Sequence, residues 1–482
     1  MDDLKLFCKD EKQCDKLVQT VRLVSKDIGM DFGINKCATL VMKRGRRVKS
    51  AGIPLPDGRI LQSLEEGENY KYLGVLESDD VSNNAIKVSV TKEYFSRVKS
   101  VLKSHLNGGH VITALNTWAV AVLRYTGGVV EWTKAELAGM DRKTRKMLSI
   151  YKTHQMSADV DRLYLPRKEG GRGLVSASDC VEMEQISLNN YINSSEEKLL
   201  RAVLVESGNN VNAIDPLTFK SQKRTERSAK WREKQLHGQF CRETENISSN
   251  DTWLWLKKGE LKKETEGLII AAQEQALSTN ALKAKIQKRD VDATCRICRE
   301  RDETVQHIVC GCSKLAQKEY KRRHDKLAQV LHWELCRKHE IPCESKWYMH
   351  EPQKVSENDQ VKILWDFDVQ TDNVIQHRRP DIIVVERARQ MCTIVDVAVP
   401  GDSRVAEKEK EKIEKYQDLA RELRRLWNMR TKVIPIVVGA LGTTPKQLRR
   451  HLDDVGVPDR VQTLQKAALL GTARILRKVL EV

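Results

Sequence analysis

The apolar positions near the C-terminus fall into short runs that are separated by polar turns. Residues 382–385 and 394–399 are two such runs, and residues 433–438 are a third. Between the last two, residues 404–429 show the three- and four-residue spacing of a helix. A strand–strand–helix–strand order of this kind predicts a small α/β core within residues 355–482.

The N-terminal part of the chain has the pattern of another small α/β unit. Residues 12–28 place apolar side chains at helical spacing, and Gly29 follows as a helix stop. Residues 4–7, 36–42 and 69–75 are strand-like. We therefore expect one helix packed against short strands.

Helical spacing dominates the middle of the chain from residue 84 to about residue 205. A polar stretch that is poor in aliphatic side chains follows, then a second helical pattern and a Cys/His cluster. We therefore predict an α+β multidomain chain. Its expected segments are residues 1–80, 81–205, 206–290, 291–345 and 355–482.

The composition indicates a polyanionic partner. Lysine and arginine number 84 against 67 aspartate and glutamate residues, which gives a formal net charge of +17. This excess favours nucleic acid, although it also suits a basic protein without such a partner. No apolar stretch approaches the ~20 residues of a membrane span, so we expect no membrane partner.

The cysteines and the first residues of the chain indicate the cellular compartment in which the protein is expected. Met1 is followed at once by Asp2 and Asp3, which is unlike a secretion signal. The 12 cysteines then indicate a reducing compartment, in which metal binding or burial is favoured over disulfides. We expect a protein that is not secreted.

Two aspartates are placed where packing does not require an acid. Asp381 directly precedes the run 382–385, and Asp396 lies inside the run 394–399. Two strand-borne carboxylates can hold a divalent cation such as Mg²⁺, and a nearby lysine can stabilise charge on a phosphate group. This chemistry is typical of metal-dependent DNA cleavage. The alternative is a pair of edge-strand acids beside a solvated helix.

A cluster of cysteines and a histidine has the spacing of a zinc site. Cys295 and Cys298 share a tight turn, and His307 and Cys312 follow in a predicted helix. Together they can complete a tetrahedral Zn²⁺ site that staples a segment with few core residues. Cys310 competes for the fourth position, and unrelated cysteines of a reduced protein are the alternative.

The helix predicted after this cluster is strongly basic. Lys321, Arg322 and Arg323 are consecutive in it. We expect these side chains to contact nucleic acid, which the zinc site would help to position.

Several short motifs also occur in a characteristic order. Asp2-Asp3 is followed by Gly33-Ile34-Asn35-Lys36-Cys37 and by Tyr70-Lys71-Tyr72-Leu73-Gly74. The basic turns 162–167 and 170–174, the Cys/His cluster and the acid pair come next. In this order the motifs resemble the C-terminal half of the reverse transcriptase/endonuclease polyprotein of non-LTR retrotransposons that carry a restriction-like endonuclease. The resemblance covers nearly the whole chain.

The resemblance implies roles for residues in its polymerase part. Asp2 and Asp3 would bind the polymerase metals. The primer grip would lie near Tyr72, Leu73 and Gly74, and Lys71 and Tyr72 would contact nucleic acid. Arg172 belongs to a basic turn that looks like part of the thumb and linker, where it would contact nucleic acid.

In the endonuclease part, Asp381 and Asp396 would bind Mg²⁺. The family's usual acid-X-Lys ending is absent, because Asp396 is followed by apolar residues. Lys412 or Lys415 of the following helix would supply the lysine instead. The partners would be a DNA target and the element RNA, in the nucleus or the cytoplasm.

The resemblance also implies that the polymerase is incomplete. A reverse transcriptase needs a third metal-binding aspartate, fingers and a nucleotide pocket, and this sequence has none of them. We expect a fragment that does not polymerise and whose first 80 residues fold poorly, because the missing half of the palm would cover their apolar surface. What remains would be DNA nicking for target-primed reverse transcription. The alternatives are a non-enzymatic, zinc-dependent nucleic-acid-binding protein and an inactive element remnant.

Overall fold

The computed structural model describes residues 4–30, 33–77, 81–200, 202, 214–247 and 250–481. Within it, the chain divides into two compact units, each assembled from separate stretches of sequence. The first unit comprises Met1–Arg97, Ala119–Met140 and Ala177–Asp215, and the second comprises Val98–Trp118, Asp141–Ser176 and Pro216–Val482. The predicted segment 81–205 thus contributes to both units. Asp2 and Asp3 lie outside the described residues.

The fold is mixed α/β, and its described strands form three two-stranded sheets and one five-stranded sheet. The strands are β1 Met42–Lys43, β2 Arg46–Arg47, β3 Ile53–Pro54, β4 Ile60–Leu61, β5 Tyr70–Tyr72, β6 Val75–Glu77, β7 Val355–Glu357, β8 Val361–Trp365, β9 Ile382–Glu386, β10 Met391–Ala398 and β11 Arg430–Val437. The α-helices are α1 Glu11–Asp27, α2 Asn83–Lys103, α3 Gly108–Ala114, α4 Val120–Gly127, α5 Lys134–Ile150, α6 Val160–Tyr164, α7 Ala177–Ser194, α8 Pro216–Glu233, α9 Gln239–Thr244, α10 Leu254–Lys258, α11 Lys263–Gln273, α12 Ser313–Leu315, α13 Lys321–Lys338, α14 Val405–Lys415, α15 Gln417–Trp427, α16 Leu448–Val455 and α17 Val461–Leu480. Of the described helices, none is long and apolar enough to cross a membrane.

In the first unit, the predicted N-terminal helix is present as α1. Asp10 caps it, because its side chain accepts a hydrogen bond from the backbone N–H of Gln13 at 2.8 Å. Gly29 follows the helix with a φ of +75°, as its stop signal predicted. The helix buries Val18 but leaves apolar side chains such as Val24 exposed to solvent.

All three strand predictions in this unit are wrong. The predicted strand 36–42 begins in a 3-10 turn at Lys36, has one isolated bridge at Thr39 and enters β1 only at Met42. Residues 4–7 form no strand, and Phe7 is 81% exposed. Residues 69–75 are not one strand, because the chain reverses there into the hairpin of β5 and β6. Leu73 and Gly74 turn it with φ values of +47° and +81°, the backbone geometry that a tight two-residue hairpin turn requires.

The second unit contains the predicted C-terminal α/β core. Its sheet has the strand order β11-β10-β9-β8-β7, and neighbouring strands are antiparallel except β10 and β11, which are parallel. A parallel pair needs a crossover connection, and α14 and α15 provide it. The single helix predicted over residues 404–429 is therefore two helices, which meet at Tyr416.

Both faces of this sheet are covered by helices. Val384 and Val395 pack into the core shared with α13 and α17, whereas Ile383 and Ile394 pack into the core shared with α15. Strands buried on two sides are apolar at almost every position rather than at alternate ones. An acid inside β10 is therefore an exception that needs a physical explanation.

Arginines of the predicted basic turns belong to a buried ion network in the second unit. Arg172 is fully buried and donates to Glu266 at 2.9 Å, and Arg167 donates to the same carboxylate at 3.0 Å. Arg162 lies 3.4 Å from the buried carboxylate of Glu274. Because Arg172 is enclosed by other residues of the chain, the prediction that it contacts nucleic acid is wrong.

We predict that Glu266→Ala destabilises the second unit by about 3–5 kcal/mol, because two largely buried guanidinium groups lose their shared carboxylate. Urea unfolding followed by tryptophan fluorescence measures this loss. Glu264→Ala is the control on the same helix, where a half-buried residue should cost about 1 kcal/mol or less. Equal losses in the two variants would contradict a stabilising network.

Candidate functional site

The register of the sheet brings the two predicted acids together. β9 and β10 are antiparallel, and the last pair of their ladder is Val395 with Ile382. The next position along each strand sets Asp396 opposite Asp381. Directly opposed residues of an antiparallel pair project from the same face of the sheet. Both acids therefore belong to one end and one face of the core.

Asp396 is buried, and a lysine meets its charge. Only 2% of the residue is exposed, and its Oδ2 forms an ion pair with the ammonium of Lys412 from α14. The same oxygen accepts no hydrogen bond of normal geometry. Burial raises the pKa of Asp396 and the neighbouring Asp381 raises it further, although Lys412 opposes the shift.

Asp381 is held by two donors from different elements. Its Oδ2 accepts the backbone N–H of Val397 at 2.7 Å and lies 3.2 Å from Nε2 of His324. Burial by itself raises the pKa of Asp381, but the hydrogen bond and charge of His324 outweigh burial and lower it. Asp381 is therefore the more acidic member of the pair.

His324 is a site residue that the sequence did not reveal. It lies in the first turn of α13, and its Nε2 is also 3.1 Å from the carbonyl oxygen of Val397. Burial lowers the pKa of His324, but hydrogen bonds to Asp325 and Asp381 raise it to about 10. The basic pattern of this helix predicted charge here and did not show which residue would face the sheet.

The two candidate lysines have different surroundings. Lys412 contacts Asp396 directly. Lys415 instead donates to the hydroxyl of Tyr416 at 3.0 Å, and that hydroxyl donates to the carbonyl of Arg379 at 3.3 Å. Burial lowers the pKa of Lys415, while the charge of Asp396 opposes the shift. Lys412 is therefore the lysine in contact with the acid pair.

The four predicted zinc ligands converge in the second unit. The ligand atoms of Cys295, Cys298, His307 and Cys312 lie within 4.8 Å of one another, and all four residues are buried. Cys298 Sγ is 3.3 Å from His307 Nε2. Three thiols and one imidazole at this spacing could hold a zinc ion. Cys310 lies outside the group, so Cys312 takes the contested fourth position.

The turn that carries the first two cysteines is also held by protein contacts. The backbone N–H of Cys295 donates to the carbonyl of Arg301 at 2.7 Å. The guanidinium of Arg296 pairs at 2.8 Å with Glu303, which is fully buried. These contacts place the ligands before any metal binds, which lowers the ordering cost of binding.

An open cleft of about 910 Å³ borders this Cys/His cluster and residues that contact the acid pair, although neither Asp381 nor Asp396 lines it. His307 lines one part of it, and His324 and Lys412 line another. Of the described residues that line the cleft, Asp302 is the only acid. The further basic residues along it are Arg301, Lys321, Arg323, Arg404 and Lys408. The cleft is therefore electropositive, which favours a polyanionic ligand.

The other residues expected to contact nucleic acid differ in exposure. Lys321 and Arg322 are exposed at the start of α13. Arg323 is 3% exposed and donates two hydrogen bonds within the protein, so its guanidinium serves mainly to hold the fold. In the first unit, Lys71 is exposed and Tyr72 is half-buried on β5.

Two comparisons with known proteins bear on the identity of the chain. No family model matches it, and no curated protein matches it. The geometry of the acid pair, the Cys/His cluster and the cleft therefore carries the assignment of function, together with the order of motifs in the sequence.

We predict that Cys295→Ser lowers the zinc content by about one ion per chain, because the three remaining donors no longer complete a tetrahedral site. Inductively coupled plasma mass spectrometry of the purified chain measures the metal. Cys310→Ser is the matched control and should retain the zinc, since Cys310 lies outside the ligand group. Zinc lost from the Cys310 variant but kept by the Cys295 variant would refute this ligand set.

Proposed function

We propose that this chain is part of a non-LTR retrotransposon reverse transcriptase/endonuclease and that it carries out metal-dependent nicking of DNA. The observation that carries the proposal is the position of Asp381 opposite Asp396 at one end of a buried sheet, with Lys412 in contact with Asp396. The electropositive cleft alongside supplies a surface for DNA. In the parent protein, the nick would expose the 3′ hydroxyl from which element RNA is copied.

The donor set around the acid pair suits a hard divalent cation. The buried Oδ2 of Asp396 has an ion-pair partner in Lys412 but no hydrogen bond of normal geometry. Asp381 Oδ2 and the carbonyl of Val397 both face one nitrogen of His324, so two oxygens already converge on a single partner. Asp381 and Asp396 would hold Mg²⁺, which takes oxygen ligands. When bound, the ion supplies the Lewis acid for phosphodiester hydrolysis.

The remaining residues have separate roles in this proposal. Lys412 borders the cleft, so its ammonium can stabilise the negative charge that grows on a phosphate group there. His324 is a positioning residue, because it orients Asp381 through a hydrogen bond and lies beside the reacting groups. Lys415 is not in direct contact with the acid pair and acts through the hydroxyl of Tyr416.

The polymerase belongs to the parent protein in this proposal. Its metal-binding pair would be Asp2 and Asp3, and its primer grip would lie near Tyr72, Leu73 and Gly74. These assignments rest on the order of motifs, and element RNA is proposed as a partner on the same basis.

A non-enzymatic nucleic-acid-binding protein is the second candidate, and one observation favours it. Asp381 and Asp396 are already paired with His324 and Lys412. Among the described residues, the acids also belong to no preset cluster of three metal-ligating groups. Protein cations that neutralise both acids could leave the core inert, while the cleft still binds DNA or RNA. An inactive element remnant would have the same features.

We predict that the chain nicks supercoiled plasmid in the presence of Mg²⁺ and that Asp396→Asn lowers the rate by at least about 100-fold, since the loss of one metal ligand is worth several kcal/mol. Conversion of supercoiled to open-circular DNA on agarose gels gives the rate. Asp418→Asn, a mostly exposed acid on α15, is the control and should nick normally.

The same assay separates the candidates. Equal nicking by the wild type and the Asp396 variant, or none by either, would reject the endonuclease. DNA binding that persists in the variant and weakens steeply with salt would then support the binding protein.

We predict that Lys412→Met lowers the nicking rate by about 100-fold, whereas Lys415→Met lowers it by about 10-fold or less, because only Lys412 contacts the acid pair. Circular dichroism checks that both variants fold. A larger loss in the Lys415 variant would reverse the assignment of the two lysines.

A further inference from the structure

A second group of metal-ligating side chains lies in the core of the second unit. His332 and Cys336 are separated by four residues on α13, so they share one face of the helix. His350 approaches them from the loop that precedes β7. All three residues are buried, with at most 6% of any one exposed. None of them belongs to the acid pair or to the cluster around Cys295.

The three ligand atoms lie close together. His332 Nδ1 lies 2.8 Å from His350 Nε2 and 3.5 Å from Cys336 Sγ, and all three atoms lie within 4.8 Å of one another. Only one proton can occupy the short gap between the two ring nitrogens. In the absence of a metal, the thiol and the second imidazole therefore compete for the same nitrogen. A cation at the centre would accept a lone pair from each of the three atoms.

The surroundings of His332 support ligation through Nδ1. Its other ring nitrogen, Nε2, is buried and has no hydrogen-bond partner. A ring that ligates through Nδ1 carries its proton on Nε2. The rings of His332 and Trp365 form a T-shaped pair, with 5.6 Å between their centroids and an interplanar angle of 86°.

We propose that His332, Cys336 and His350 form a second metal site, for zinc or another transition metal that prefers nitrogen and sulfur ligands. Metal–nitrogen bonds of about 2.0–2.1 Å in tetrahedral geometry require the two nitrogens to be about 3.3 Å apart. His350 must therefore withdraw by only about half an ångström, which a loop residue can do. Three protein ligands leave a fourth position for water.

The site would fasten the loop that carries His350 to the helix that carries His324. His324 and His332 both lie on α13, where they are about 12 Å apart along the helix axis. The loop leads directly into edge strand β7, and Gln329 already donates to the carbonyl of His350. A metal here would therefore fix α13, and with it His324, against the sheet.

Metal analysis of the full chain tests the proposal. After zinc reconstitution and removal of free metal, the wild type should hold about two ions per chain. Cys336→Ser and His350→Gln should each hold about one, and neither should disturb the cluster around Cys295. Cys392→Ser is the matched control, because Cys392 is a fully buried cysteine of β10 outside both groups, and it should hold two.

A second measurement does not depend on the stability of those variants. In the Cys295→Ser/Cys298→Ser background, which removes two ligands of the first cluster, Co²⁺ should still give the visible bands of a tetrahedral site with one thiolate. Those bands should vanish when Cys336→Ser is added. A background protein without bands, or a wild type whose single zinc is lost with Cys295, would overturn the proposal.

Discussion

The burial of Asp396 is the constraint around which the second unit is organised. A carboxylate inside a sheet that is covered on both faces is costly unless a cation meets it. The crossover from β10 to β11 supplies the cation, since it lays α14 over the acid and brings Lys412 into contact with it. The same connection buries Tyr416 and Leu419 on the sheet. Charge compensation and core packing thus come from one connection.

His324, the residue that pairs with Asp381, comes from a distant part of the chain. α13 packs its apolar side against the opposite face of the sheet, and its first turn carries His324 to Asp381. The helix begins shortly after the Cys/His cluster and, further along, carries His332 and Cys336. One helix therefore connects the cluster, the acid pair and the buried histidines, so the geometry of the acids depends on how firmly it docks.

Much of the C-terminal core could be predicted because its determinants are local. The apolar runs 382–385 and 394–399 became β9 and β10, and a hairpin between neighbouring strands set Asp381 opposite Asp396. The four cysteine and histidine ligands converged because they lie close together in the sequence. The prediction of a single strand over residues 69–75 of the first unit was wrong. Leu73 and Gly74 adopt positive φ values there, so the chain turns into a hairpin instead of continuing as one strand.

The sequence by itself determined the strands of the core, the spacing of the zinc-type ligands and the presence of two acids at one end of a sheet. These features depend on residues that are near one another in the chain. Only the tertiary structure decided that Lys412 meets Asp396, that His324 meets Asp381 and that Arg172 is buried with Glu266. Those pairings depend on how helices from distant segments pack, and a basic pattern alone does not distinguish a buried guanidinium from a solvated one.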